Sequence, residues 1–213
     1  MVYYFTTKCG TTLYMGKDKY ENEDLIRYGH PEDVWFHVDN LSSAHVYLRM
    51  KPGMTLDDLT EDQLLACSSL VKANSIQGCK KNSVYVVYTR WKNLKKTADM
   101  VDGQVGFHRP ENVRRMEVSK NNTIVNPLNK TKVEKFPDLH AEQQQRLLEI
   151  QQSKKAQRRA LEKARKEEEK RKLKEKEELS YDRVFNADSM TSNADIQGSA
   201  DNSAAQAYED DFF

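Results

Sequence analysis

The sequence has few cysteines, glycines and prolines, and it lacks any long apolar stretch. Its 213 residues include 3 Cys, 8 Gly and 5 Pro. Three cysteines without CxxC spacing cannot all pair, which fits a reducing compartment better than a disulfide scaffold. No apolar run is longer than residues 84–88, whereas a membrane span needs about 17–25 predominantly apolar residues. With no signal-peptide pattern at the N-terminus, we expect a cytoplasmic or nuclear protein without a transmembrane segment.

The small net charge of +1 conceals segments of opposite sign. Residues 1–79 carry 7 basic and 11 acidic side chains, and residues 80–135 carry 13 and 5. Residues 139–179 carry 13 basic and 9 acidic side chains, and residues 180–213 carry 1 and 7. This asymmetry predicts a surface that faces a polyanion, followed by an acidic tail.

Local patterns predict an α+β domain over residues 1–136. Short runs rich in β-branched and aromatic residues occur at 2–6, 11–15, 34–38, 45–50, 84–89, 104–108 and 113–118. Helix signals occur at 21–28 and at 60–74, where Thr60 and Gln63 form a capping box. Residues 139–179 contain no Gly or Pro and predict a long charged helix, solvated or weakly paired as a coiled coil, of about 60 Å. Residues 180–213 are predicted to be a disordered acidic tail.

Alternation along two predicted strands places two histidines on one face of a sheet. Apolar residues alternate with the set Trp35, His37, His45, Tyr47 and Arg49. If the strands pair as a hairpin, the apolar set faces the core and this second set faces the other side. A metal or acid–base site needs a third positioned group, so we favour imidazoles that hydrogen-bond within the fold. We predict no catalytic residue, metal or cofactor, and hence a non-enzymatic protein.

Lysines and arginines interleaved with aromatic residues follow this hairpin. Such cations displace phosphate counterions and exposed rings stack on unpaired bases, so the pattern predicts a nucleic-acid contact driven by charge and shape. The candidate residues are Lys80, Lys81, Tyr88, Arg90, Trp91, Lys92, Lys95, Lys96, Arg109, Arg114 and Arg115, with a smaller set, Lys17, Lys19 and Tyr20, before a helix start. Tyr20, Tyr88 and Trp91 are the expected stackers, and the cations of 80–135 are expected to share one exposed side. The alternative is a solvated face with Tyr85 or Trp91 in the core.

Several longer strings resemble a known family. They are residues 16–25 (GKDKYENEDL), 33–38 (DVWFHV), 41–48 (LSSAHVYL), 70–80 (LVKANSIQGCK) and 93–100 (NLKKTADM). Together they closely resemble the coiled-coil domain-containing protein 25 family, which is built on an NFACT-R domain, over about residues 1–140. Many relatives read Pro-Gly-Ser-His where this chain has residues 42–45, of which only His45 matches.

The resemblance implies an α+β NFACT-R domain that binds nucleic acid. In larger relatives this domain serves ribosome-associated quality control, where those proteins engage the large ribosomal subunit and tRNA. Those relatives also carry an NFACT-N domain and a helical hairpin, for which this chain is too short. We therefore expect a non-enzymatic nucleic-acid-binding module associated with RNA or the ribosome. The alternatives are a membrane-associated DNA-sensing receptor, to which the family has been linked, and an adaptor that binds a protein through helix 139–179 or the acidic-aromatic tail.

Overall fold

The computed structural model describes residues 1–179, and the predicted acidic tail over 180–213 lies outside the described residues. The chain divides into two compact units, Met1–Gln152 and a second unit that begins at Ser153. The first unit combines an antiparallel sheet with packed helices, so the predicted α+β class is confirmed.

A seven-stranded antiparallel sheet forms the centre of the first unit. The nine strands are β1 Val2–Thr6, β2 Thr12–Gly16, β3 Asp33–Val38, β4 Val46–Arg49, β5 Ser83–Arg90, β6 Leu94–Lys95, β7 Gly106–Phe107, β8 Arg114–Ser119 and β9 Val133–Lys135. The order in the sheet is β8-β5-β3-β4-β2-β1-β9, while β6 and β7 pair with each other in a separate ribbon. The strand expected over 104–108 is thus reduced to the two residues of β7.

Four α-helices complete the described chain: α1 Lys19–Arg27, α2 Glu61–Ala73, α3 Asn122–Lys130 and α4 Leu139–Glu178. Asp18 caps α1 by accepting from the backbone N–H groups of Tyr20 and Glu21. Thr60 and Gln63 form the capping box predicted for α2, in which each side chain satisfies a backbone N–H of the other residue. α3 was not predicted, because Pro127 stands inside it and proline usually interrupts a helix.

The hairpin of β3 and β4 gives the sheet two buried faces. Trp35 lies opposite Tyr47 in the register, and Phe36 lies opposite Val46. Phe36 and Val46 face the larger core, which α2 covers, so the predicted inward set is confirmed. Trp35 and Tyr47 point to the other side, where they are buried together with Leu25 of α1 and Leu94 of β6.

The first turns of α4 belong to the first unit and are attached to the rest of it by polar contacts. The side-chain amide of Gln143 donates to the carbonyl oxygen of Gly29 at 2.8 Å. Arg146 forms an ion pair with Glu32 at 2.7 Å, and both side chains are partly buried. The hydrogen bonds and charge of Arg146 lower the pKa of Glu32, against the effect of burial.

From Ser153 onward the residues of α4 are exposed, as the charged composition predicts. Pairs at i,i+4 spacing stabilise its surface, such as Lys166 with Glu162 and Lys172 with Glu168, each at 2.8 Å. Such pairs contribute about 0.3–0.5 kcal/mol each. Within residues 1–179, no helix is long and apolar enough to cross a membrane.

Candidate nucleic-acid interface

Four candidate cations line one cavity beside the end of β5. The cavity has a volume of about 480 Å³, which is within the usual range for ligand pockets. We call it the β5-end pocket, and its basic side chains are Arg90, Lys92, Arg109 and Arg114. His108 and the acidic residues Asp57 and Glu111 also line it. The β5-end pocket therefore combines a basic majority with two carboxylates.

A buried hydrogen-bond network fixes the backbone that carries these cations. The side-chain amide of Asn93 donates to Thr89 Oγ1 at 3.0 Å and to the carbonyl oxygen of Arg109 at 2.9 Å. Its oxygen accepts from the backbone N–H of Arg109 at 2.9 Å. The hydroxyl of Thr89 donates to the carbonyl oxygen of Asn112 at 2.9 Å. Because Thr89 and Asn93 are buried, the pocket wall is held to β5 before any ligand binds.

The cations of the pocket differ in how far they are already neutralised. Arg114 pairs with Asp57 at 2.6 Å on the surface, and this hydrogen bond raises the pKa of Arg114. Arg90 donates to the carbonyl oxygen of Met54. Lys92 and Arg109 form no ion pair with any carboxylate in the described chain. Since an exposed ion pair contributes about 0–1 kcal/mol, a phosphate can compete for Arg114 as well.

The expectation that the cations of residues 80–135 share one exposed side is wrong. Lys80 and Lys81 precede β5, whose length of about 23 Å separates them from Arg90 at its other end. The lysines near β9 lie at the opposite sheet edge from β8. A strand reverses side-chain direction at every residue and has two ends, so cations close in sequence are separated in space.

A second group of candidates gathers beside α1, away from the pocket lining. Lys96 pairs with Glu23 at 2.6 Å, and Lys19 lies 3.8 Å from Asp102. Lys17 directly precedes Asp18, the N-cap residue of α1, and Lys95 ends β6. Because two of these four lysines have carboxylate partners, this group is less suited to a phosphate than the β5-end pocket.

Two of the three expected base stackers are structural residues. Tyr88 is only 7% exposed and stacks on Phe36, with ring centroids 5.3 Å apart. Trp91 Nε1 donates to the carbonyl oxygen of Ile26 at 2.8 Å, and the indole lies so close to Gly29 that a Cβ there would meet it at 2.2 Å. The ring of Tyr88 is buried and not open to a base, which corrects that assignment, while Trp91 is partly buried and its Nε1 is hydrogen-bonded inside the fold. Tyr20, the third expected stacker, is 65% exposed.

Sequence reasoning did not count Tyr85 of β5 among the expected stackers and considered it only as a core residue, but it is exposed. Tyr85 is 45% exposed, and the guanidinium carbon of Arg115 lies 3.9 Å from its ring centroid. The alternation of residues along β5 indicates that Tyr85 faces away from the core. Val84, Val86 and Tyr88 face the core, so Tyr85 must face the other side of the sheet.

The two histidines of the hairpin are hydrogen-bonded inside the fold, as the sequence favoured. Trp35 Nε1 donates to His45 Nδ1 at 2.9 Å, and His37 Nδ1 lies 2.7 Å from the carbonyl oxygen of Val38. Burial, reinforced by the neighbouring His37, lowers the pKa of His45 to about 3. Within residues 1–179, no group of three or more His, Cys, Asp or Glu side chains is placed to hold a metal ion.

The antiparallel sheet with α2 and α3 on one face, together with the β5-end pocket, defines a small α+β domain with a basic cavity. The family model described as "NFACT protein RNA binding domain" matches residues 1–109. A solved structure of the C-terminal part of the fibronectin/fibrinogen-binding protein from Streptococcus suis shares the fold, with a TM-score of 0.50 and 19% identity. The match covers 61% of this chain and 49% of that chain.

Sequence comparison gives a narrower assignment. The chain is 54% identical over 200 residues to coiled-coil domain-containing protein 25 of Bos taurus, covering 92% of this chain and 96% of that protein. It is 39% identical over 150 residues to Protein JLP2 of Saccharomyces cerevisiae, covering 66% of this chain and 72% of that protein. The chain therefore belongs to the coiled-coil domain-containing protein 25 family, as the sequence strings predicted.

Proposed function

We propose that this protein is a non-enzymatic RNA-binding module that holds the phosphate backbone of a structured, ribosome-associated RNA at the β5-end pocket. The observation that carries the proposal is the convergence of Arg90, Lys92, Arg109 and Arg114 around one cavity. The family description of the domain as RNA-binding supports the choice of ligand.

The chemistry of the pocket suits a phosphate better than a base. Lysine and arginine side chains that neutralise phosphates release condensed counterions, and this release provides affinity without sequence specificity. Arginine adds a planar fork that can donate two hydrogen bonds to one phosphate. Because the buried network around Asn93 already orders the wall, binding costs little backbone entropy.

We further propose that residues 1–136 are the RNA-binding unit, with residues 139–179 as a separate helical element. Every residue that lines the β5-end pocket lies within residues 1–136. The contacts of Gln143 with Gly29 and of Arg146 with Glu32 indicate a stabilising role for the start of α4.

The test is a double charge neutralisation, Lys92→Gln with Arg109→Gln. Neither side chain has an ion-pair partner within residues 1–179, so the fold should be retained. Fluorescence anisotropy with a labelled tRNA, titrated over a range of salt concentrations, should show weaker binding. The slope of log K against log salt should fall by about 1–2, because each lost phosphate contact removes about 0.7–0.9.

The matched control is Lys80→Gln with Lys81→Gln, which removes the same charge at the other end of β5. The affinity and the salt slope of this control should lie closer to those of the unmodified protein than the values of the Lys92 and Arg109 variant do. Equal losses in the two variants would contradict the placement of the site at the pocket. Tighter binding to a duplex DNA of similar length than to the RNA would contradict the choice of RNA.

A further inference from the structure

A second polar and aromatic cluster lies on the sheet face opposite α2. Tyr85 of β5 is 45% exposed, and Arg115 of the edge strand β8 places its guanidinium carbon 3.9 Å from the ring centroid. Asp39 follows β3 directly, and its carboxylate forms an ion pair with Arg115 Nη2 at 2.8 Å. We call Tyr85, Arg115 and Asp39 the Tyr85 platform. It does not overlap the residues that line the β5-end pocket.

Three segments of the sheet hold this platform in place. The backbone N–H of Asp39 donates to the carbonyl oxygen of Tyr85 at 2.8 Å, which extends the pairing of β3 with β5. Arg115 lies opposite Val87 in the register of β5 and β8, one position from Tyr85 on the same face. The Arg115 side chain is still 54% exposed. The ring and the guanidinium group are therefore fixed by the sheet and accessible to a ligand.

The charges around the platform argue against a phosphate as its ligand. Glu117 is the direct cross-strand neighbour of Tyr85. Arg115 is thus one cation beside the two carboxylates of Asp39 and Glu117, a balance that repels phosphate. Carboxylate oxygens accept hydrogen bonds from the exocyclic amino groups of bases, as in the pairing of Asp or Glu with cytosine N4. Aromatic rings and guanidinium planes are the surfaces on which unpaired bases stack.

We propose that the Tyr85 platform binds one unpaired RNA base that carries an exocyclic amino group. The proposal rests on the proposed RNA-binding function and identifies the part of the ligand that is single-stranded. Arg114 and Arg115 are consecutive residues of β8, so their side chains point to opposite faces. Arg114 lines the β5-end pocket and Arg115 belongs to the platform. A single strand that passes the β8 edge meets a phosphate contact on one side and a stacking surface on the other.

The experiment compares a fluorescein-labelled single-stranded RNA of about 12 nucleotides with the duplex of the same sequence. Tyr85→Leu removes the ring and keeps an apolar side chain, so it should weaken single-strand binding by roughly 5- to 150-fold. Duplex binding should be unchanged, because duplex bases are not free to stack on the platform. Tyr85→Phe keeps the ring and should behave like the unmodified protein. Oligocytidine should bind more tightly than oligouridine, which lacks the amino group.

The matched pair Arg115→Lys and Arg114→Lys separates stacking from charge. Both keep the positive charge and lose the planar guanidinium group. Arg115→Lys should reduce the ratio of single-strand to duplex affinity, whereas Arg114→Lys should weaken both probes and leave that ratio unchanged. A ratio that stays the same in both Tyr85→Leu and Arg115→Lys overturns the platform. If the Lys92 and Arg109 variant still loses affinity in that case, the proposed function stands without it. If Tyr85→Leu loses single-strand binding while the Lys92 and Arg109 variant keeps the affinity of the unmodified protein, the β5-end pocket is overturned as the phosphate site.

Discussion

The buried imidazole of His45 predicts an acid-sensitive fold. His45 is 3% exposed and accepts a hydrogen bond from Trp35 Nε1, which requires an unprotonated Nδ1. Burial and the neighbouring His37 lower the pKa of His45 to about 3, from an ordinary value of 6.5. Between these two pH values, the unfolded chain binds a proton at His45 that the folded chain excludes. Folding stability must therefore fall as the pH decreases from 6.5 towards 3.

The size of the effect follows from the two pKa values. Each pH unit below the unfolded pKa costs about 1.36 kcal/mol, so at about pH 4.5 the single group lowers the free energy of unfolding by about 2.7 kcal/mol. This loss is a large fraction of a typical total stability of about 5–15 kcal/mol. Burial also lowers the pKa of His30 and of the partly buried His37, so they add to the same trend.

Urea unfolding followed by tryptophan fluorescence, measured between about pH 4.5 and pH 7, isolates the contribution of His45 by comparison with His45→Gln. The glutamine can still accept from Trp35, but it does not titrate. The unmodified protein should lose about 2.7 kcal/mol more than the variant over this range. The histidines that do not contact His45 titrate in both proteins and cancel in the difference, which therefore reports His45 together with its coupling to His37. Parallel stability curves for the two proteins would refute the reasoning.

Two further predictions concern packing around the start of α4 and α1. Gly29→Ala should lower the free energy of unfolding by about 1–3 kcal/mol, because the added Cβ would meet the indole of Trp91 at 2.2 Å; an unchanged urea midpoint would contradict this. A chain ending at Asp138 should be less stable than one ending at Gln152 by about 1–3 kcal/mol, since it loses the ion pair of Arg146 with Glu32. Equal thermal midpoints for the two truncated chains would show that residues 1–136 need no part of α4.

The sequence predicted those elements whose patterns are local. The alternation through Trp35 and His37 gave the two faces of β3 and β4, and the Thr60 capping box gave the start of α2. A long run without glycine or proline gave α4. In each case the relevant information lies within one turn or one strand, so that neighbours in sequence are neighbours in space.

The remaining elements depend on partners far away in the chain. β9 is three residues long and forms only by pairing with β1, and β6 exists only because β7 lies beside it. The prediction of the candidate site was partly wrong for the same reason. Tyr85 and Tyr88 look alike in sequence, but one faces solvent and the other packs on Phe36. The face of each position on β5, and not its residue type, decides which ring can meet a ligand.

The position of Arg114 and Arg115 on β8 constrains how this segment can vary. A strand slipped by a single residue exchanges every inward side chain with an outward one. The turn before β8 could become longer or shorter by one residue while the strand stays paired with β5. Each arginine side chain would then lie on the face of the sheet that the other occupies now. Substitutions at these two positions change one contact at a time, whereas an insertion or deletion would alter both together.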